Sequence, residues 1–159
     1  MTDIVKITPN ALAPLGTSSG HLVAVLAYDG VSAFELGIAV EIFGLRGMGV
    51  DWYRVLVCAE QPGKLLVANG GVGIVASVGL EALTDAVTII VSGWQDIEAS
   101  PPKALTDALS QAYARGTRIA SICSGVFVLA AAGLLQRRRA AVHLDHVVNQ
   151  AEQTSPGRR

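Results

Sequence analysis

The sequence predicts an α/β fold built on a mostly parallel sheet with helices on both faces. A short, wholly apolar run at 22–27 suits a strand buried on both sides, and the run at 87–91, apolar but for Thr88, and "RIASI" at 118–122 read as further strands. Stretches with helical apolar spacing separate them, an alternation that calls for crossover connections and a parallel sheet. Seventeen glycines and only 5% aromatic residues point to many tight turns and a core of small aliphatic side chains.

Residues 1–20 mix Pro, Gly, Ser and Thr without apolar period and read as a flexible leader. The first strand runs from Leu22 to Ala27 and ends in the Asp29-Gly30 turn. In "SAFELGIAVEIFGLRG", Phe34, Ile38, Ile42 and Leu45 recur at helical spacing with Glu35 and Glu41 between them, closed by Gly44 and Gly47. A strand through Cys58 follows, then a Pro62-Gly63 turn, extended pieces near 65–68 and 72–76, and a helical turn near 80–84. After the strand at 87–91, "PPKALTDALSQAYARG" opens with prolines where a helix tolerates them. It keeps Leu105, Leu109, Ala112 and Tyr113 on one face and stops at Gly116. "RIASI" is then a strand and "SGVFVLAAAG" a helix. Beyond Leu135 the pattern weakens to an extended piece at "RRRAAVH", a short helix at "LDHVVNQAEQ" and a frayed tail at 151–159, so the folded domain is expected over 21–150.

A chain of 159 residues, 51% hydrophobic and 16% charged, fits one domain with a sizeable core. No uncharged apolar run reaches the length of a membrane span, and the N-terminus lacks a signal peptide's basic start and compact apolar block. A cytoplasmic address without membrane partners is the default. Cys58 and Cys123 sit in different local contexts, which argues against a disulfide framework. The net charge of −1 hides a mildly acidic body and a basic tail, Arg137, Arg138, Arg139, Arg158 and Arg159, without aromatic interleaving. Nucleic-acid binding gains little from such a tail. No His, Cys and carboxylate set has metal-ligand spacing, and "NGGVG" at 69–73 lies between extended pieces rather than before a helix, so neither a metal nor a cofactor is expected.

The chemistry concentrates at Cys123, where a buried strand gives way to a helix. A cysteine on that turn stands at the sheet's carboxyl edge, where ligand sites in such sheets lie. The helix N-terminus favours a thiolate there, the Ser124 amide can donate to an oxyanion, and Gly125 lets backbones approach. A small buried thiol is the competing reading of any cysteine. Cys58, flanked by apolar residues in "RVLVCAE", reads as core. His143, twenty residues past Cys123, is far enough along the chain to fold back as a base, whereas His21 and His146 read as surface residues. Glu35 follows the first strand's turn, and is either an exposed helix-start carboxylate or an acid partner of the thiol.

The segments "VAVLAYDGVSAFELGIAVEIFG", "YRVLVCAEQPG", "GLEAL", "VSGW" and "ALTDALSQAYARGTRIASICSGVFVLAAAGLL", with the histidine that follows, resemble the ThiJ/PfpI group of the class I glutamine amidotransferase-like superfamily. The likeness spans about 21–144 and is greatest to the sensory half of GlxA-type regulators in the AraC family. It implies a flavodoxin-like three-layer sandwich and a nucleophile elbow at Cys123, with Glu35 as acid and His143 behind the thiol. It also implies oxyanion amides from Gly93 and Ser124 and a ligand site formed by Gly93, Trp94, Ser124 and Gly125. The implied function is a metabolite-sensing or dimerising domain; a stand-alone cysteine hydrolase or isonitrile-hydratase-like enzyme is the alternative, and a homodimer is expected in either case because an unpaired sheet edge calls for a partner.

Three features depart from the group's pattern. The chain stops at Arg159, before the last strand or strands and before any helix-turn-helix, so DNA binding by this chain alone is not expected. Arg137 stands where relatives have a glycine turn, and "AAVHLD" replaces their threonines and aromatic around the histidine. Ser92 stands where a proline often precedes the glycine.

Overall fold

A computed structural model describes residues 20–45, 52–96, 98–136 and 140. Four parallel strands form the central sheet: β1 (His21–Leu26), β2 (Tyr53–Cys58), β5 (Thr88–Val91) and β6 (Arg118–Ser121), in the order β2-β1-β5-β6. A separate antiparallel hairpin joins β3 (Leu65–Val67) to β4 (Gly73–Val75). The helices are α1 (Ala33–Gly44), α2 (Lys103–Ala114) and α3 (Val126–Ala131).

The unbroken apolar run of β1 follows from its central place. Val23 and Val25 enter one core layer with Leu36 and Ala39 of α1; Ala24 and Leu26 enter the other with Leu105, Leu109 and Ala112 of α2 and Val128 of α3. With side chains alternating along a strand, helices on both faces demand apolar residues at every position. The register pairs Val25 with Val57 on one side and Ile90 on the other, and Ile90 with Ala120. The four strands therefore end at a common carboxyl edge.

Helix α1 starts where Ser32 Oγ accepts from the Glu35 amide at 3.3 Å and Asn69 Oδ1 accepts from the Ala33 amide at 2.9 Å, satisfying two donors without helical partners. Helix α2 begins after Pro102 and ends at Gly116, whose φ of +92° suits a helix terminator. Tyr113, grouped by its spacing with the inward face of α2, is partly exposed.

The expected strands and helices lie close to their sequence-derived bounds, and the extended pieces near 65–68 and 72–76 become one hairpin. The packing of α1 differs from its sequence pattern. Leu36 and Ala39 face the sheet, whereas Phe34, Ile42 and Leu45, the periodic apolar positions, face outward. No helix among the described residues is long and apolar enough to cross a membrane. Residues 1–19 of the expected leader, the segments after Gln136 apart from Ala140, Arg137 and both later histidines lie outside the described residues.

Candidate functional site

Three loops converge at the carboxyl edge. The turn after β1 leads to Glu35 on α1, the segment 92–95 follows β5, and Cys123 follows β6 in a short 3-10 turn, Cys123–Gly125. Cys123 is exposed and has φ +49°, the one non-glycine residue with positive φ among those described. A side chain in that left-handed conformation is strained and persists only where its surroundings hold it, a condition common at functional turns.

Gly125 is part of that hold. A Cβ built on it would lie 2.4 Å from the Val91 carbonyl oxygen and 2.6 Å from that of Ser92, so the turn packs backbone to backbone on the end of β5. The Ser124 hydroxyl donates to the Trp94 carbonyl at 2.8 Å, and the Ile122 amide donates to the Val91 carbonyl at 2.9 Å. Each contact ties the elbow to residues 91–94.

Glu35 grips the same segment from the other side. Its Oε2 accepts from the Gly93 amide at 2.6 Å, a short charge-assisted bond. The Gly93 amide, assigned by resemblance to an oxyanion, is thus engaged by a carboxylate in this state. A Cβ on Gly93 would lie 2.7 Å from that oxygen, so a side chain there would displace the carboxylate. Glu35 and the turn that carries Cys123 therefore flank one short loop, Ser92–Trp94. His143 lies outside the described residues, so the structure assembles Cys123, Glu35, Gly93, Trp94, Ser124 and Gly125 without it.

Tyr28 completes the neighbourhood and was not singled out by sequence reasoning. Its hydroxyl donates to the Ser92 carbonyl, and its ring lies 4.8 Å from that of Trp94 at 58°. Burial, with the Glu35 charge adding to it, pushes the phenol well above its ordinary value, so it remains a neutral donor. The available signal was "AYDG": a tyrosine where the buried run of β1 meets its turn. Behind the two rings a cavity of about 30 Å³, the size of one water, is lined by Leu26, Leu80, Pro102 and Leu105. A larger groove of about 870 Å³ opens beside β6, α2 and α3 between Thr117, Ile119, Leu129 and Leu135. It has no part in the elbow's contacts.

The remaining cysteine and histidine have structural surroundings. Cys58 is fully buried, its thiol donating to the Val25 carbonyl at 3.7 Å; burial, then the Glu81 carboxylate, push it up to about 12. His21, expected at the surface, is half-buried: Nε2 lies 2.8 Å from Thr88 Oγ1 and Nδ1 lies 3.3 Å from Arg118 Nη2. Strand register pairs Thr88 with Arg118 and with Val23, two residues after His21, which groups the three near the sheet's opposite edge. Among the described residues no group of three or more His, Cys, Asp or Glu could hold a metal ion.

Residues 21–155 match the model of the DJ-1/PfpI family. An uncharacterized protein in the cpoL 5' region of Streptomyces lividans is 33% identical over 137 residues, covering 85% of this chain and 96% of its own. Among solved structures, a putative transcriptional regulator from Vibrio parahaemolyticus superposes with a TM-score of 0.68 at 23% identity, over 83% of this chain and 72% of that one. An AraC family transcriptional regulator from Pseudomonas putida gives 0.58 at 18% identity, over 74% and 73%. A two-domain protein of Anabaena variabilis with DJ-1/ThiJ/PfpI-like and ferritin-like domains gives 0.66 at 16% identity; the alignment covers 82% of this chain but only 37% of that one. These structural likenesses carry the fold.

Proposed function

This chain belongs to the DJ-1/PfpI family, and from that premise we propose that it is a ligand-sensing domain related to the GlxA-type regulators of the AraC family, binding a small metabolite at the Cys123 elbow. The observation that carries this reading is the engagement of the Gly93 amide by Glu35 at 2.6 Å. A catalytic oxyanion hole needs donors aimed at open space where charge will develop, and here one such donor is already satisfied by a carboxylate. A sensor has no such need. It requires an edge whose groups change partners when a ligand arrives, and a Glu35–Gly93 bond between two loops is one a ligand oxygen can replace. The resemblance of the fold to two transcriptional regulators supports the same direction.

The enzyme reading retains one specific observation, the exposed thiol held at φ +49°. A nucleophile presented on a strained strand-to-helix turn is the geometry of covalent catalysis. The two readings separate in one experiment. Thermal shift and isothermal titration against small amides, isonitriles and carboxylates identify binders, and product release is then followed over many turnovers. Saturable binding at the site without turnover is the expected result. Multiple turnovers abolished by Cys123→Ala would replace sensing with catalysis.

A further inference from the structure

We propose that Tyr28 is the positioning residue of this site: by holding the Ser92 carbonyl it keeps the adjoining amide, that of Gly93, aimed at the ligand when Glu35 is displaced. This role rests on the sensing reading for the arrival of a ligand, but the orientation of the peptide does not. A trans peptide is planar, with its C=O and N–H pointing in opposite directions, so fixing one end decides where the other points. The peptide between Ser92 and Gly93 is gripped at both ends. The Tyr28 hydroxyl donates to the Ser92 carbonyl, and the Gly93 amide donates to Glu35 Oε2 at 2.6 Å.

The two grips differ in kind. Tyr28 packs against both core layers, and its ring lies 4.8 Å from that of Trp94, so the hydroxyl is already in place before any ligand comes. Burial, and then the Glu35 charge, keep the phenol protonated. That proton must be placed, and among the described residues the Ser92 carbonyl is the acceptor it finds. Glu35 is only half-buried on the first turn of α1, and its carboxylate takes a single hydrogen bond among the described residues. The carboxylate can leave; the phenol cannot.

Without that hold the peptide has a second orientation. Gly93 has no Cβ to oppose a turn of the backbone. The residues on either side are tied down, the Val91 carbonyl accepting from the Ile122 amide at 2.9 Å and the Trp94 carbonyl from the Ser124 hydroxyl at 2.8 Å, so a turn is confined to the stretch between them. Turned over, the peptide would aim the Ser92 carbonyl into the site and offer its N–H to the Tyr28 oxygen. The buried phenol proton would then be orphaned, a cost that falls on the turned state alone. Tyr28 therefore makes this point of the site a fixed donor. A ligand oxygen that displaces Glu35 meets an amide already oriented, whereas a ligand N–H at the same point would meet another donor.

The test is nuclear magnetic resonance on the isotope-labelled full chain, reading the Ser92 carbonyl carbon and the Gly93 amide in Glu35→Ala, in Tyr28→Phe and in the double variant. Tyr28→Phe keeps the ring against Trp94 and removes only the hydroxyl. In Glu35→Ala the Ser92 carbonyl is expected to hold its position, while the Gly93 amide stays a single resonance and exchanges with solvent about 10-fold faster or more, having lost a charge-assisted bond. In the double variant the carbonyl shifts and the Gly93 amide splits or broadens as the peptide samples both orientations. A residue that merely fills space gives Tyr28→Phe the same effect with and without Glu35, and that additive result overturns the proposal. So does a Ser92 carbonyl that shifts in Glu35→Ala alone, because the peptide then follows the carboxylate. Should the double variant fail to fold, the Glu35→Ala spectrum decides by itself. No ligand enters the experiment, so a site that proves to catalyse, or to bind nothing, leaves its outcome standing.

Discussion

Replacing Gly125 by alanine adds one methyl group where the elbow lies on the end of β5. The new Cβ would sit 2.4 Å from the Val91 oxygen and 2.6 Å from the Ser92 oxygen, against 3.4–4 Å for ordinary contact, so backbones must separate by about 1 Å. Neither oxygen can move at no cost. The Val91 carbonyl accepts from the Ile122 amide and the Ser92 carbonyl from the Tyr28 hydroxyl, so retreat stretches a ladder bond or a buried side-chain bond. Overpacking costs about 1–3 kcal/mol, and a clash with bonded backbone belongs at the upper end, about 3 kcal/mol. With a urea slope of about 1.5 kcal/mol/M, the unfolding midpoint falls by about 2 M. Gly44→Ala is the matched control, because its Cβ meets only Val40 and Val55 methyls at 4.0 Å. Relief of backbone entropy makes that change neutral or stabilising by up to about 1 kcal/mol. A Gly125→Ala protein within about 0.5 kcal/mol of the parent would refute the tight seating of the elbow on β5, and with it the account of how Cys123 is held at positive φ.

Four further outcomes follow from the same contacts. Iodoacetamide at neutral pH should modify Cys123 in the folded protein and leave Cys58 untouched until denaturant is added; simultaneous labelling would contradict the buried position of Cys58. Stability should fall as pH rises from about 9, because the unfolded Cys58 thiol ionises while the folded one stays protonated up to about 12. The slope per such group approaches about 1.4 kcal/mol per pH unit, and Cys58→Ala should flatten the lower part of this decline in urea melts taken across pH. Ser92 Oγ is buried without a hydrogen-bond partner among the described residues, so Ser92→Ala should be neutral or stabilise by about 1 kcal/mol; a loss of stability beyond that would mean the hydroxyl has a partner. Glu35→Gln weakens a charge-assisted bond to a neutral one, costing about 1 kcal/mol, and should alter ligand affinity in titration calorimetry while leaving the far-ultraviolet circular dichroism unchanged.

The order of strands and helices was legible because burial on two faces and burial on one leave different periodicities. The run at 22–27 suited a strand buried on both faces, and Gly116 marks the end of α2. The elbow was legible for the same reason: a β-branched run followed by Cys, Ser and Gly and then an alanine-rich segment defines strand, turn and helix locally. The role of Gly125 could be anticipated from residue type alone, since no side chain fits where two backbones meet.

The partners of those residues were not legible. The sequence placed Glu35 at the correct edge but could not say that its carboxylate takes the Gly93 amide, 58 residues away, because that bond depends on how two crossover loops settle against each other. The same holds for Tyr28 and the Ser92 carbonyl. For α1 the periodic spacing of Phe34, Ile38, Ile42 and Leu45 marked a helix without saying which side meets the sheet, and packing left Phe34, Ile42 and Leu45 outward. A helix with apolar residues nearly all round gives periodicity no power to choose a side, and the small Ala39 with Leu36 allows the closer approach to the sheet. The sequence by itself determined the fold class, the strand order's parallel logic and the position of Cys123 at the sheet's carboxyl edge, all of which follow from local pattern. Only the tertiary structure decided which amide the carboxylate holds and which side of α1 is left uncovered, because both depend on contacts between segments distant along the chain.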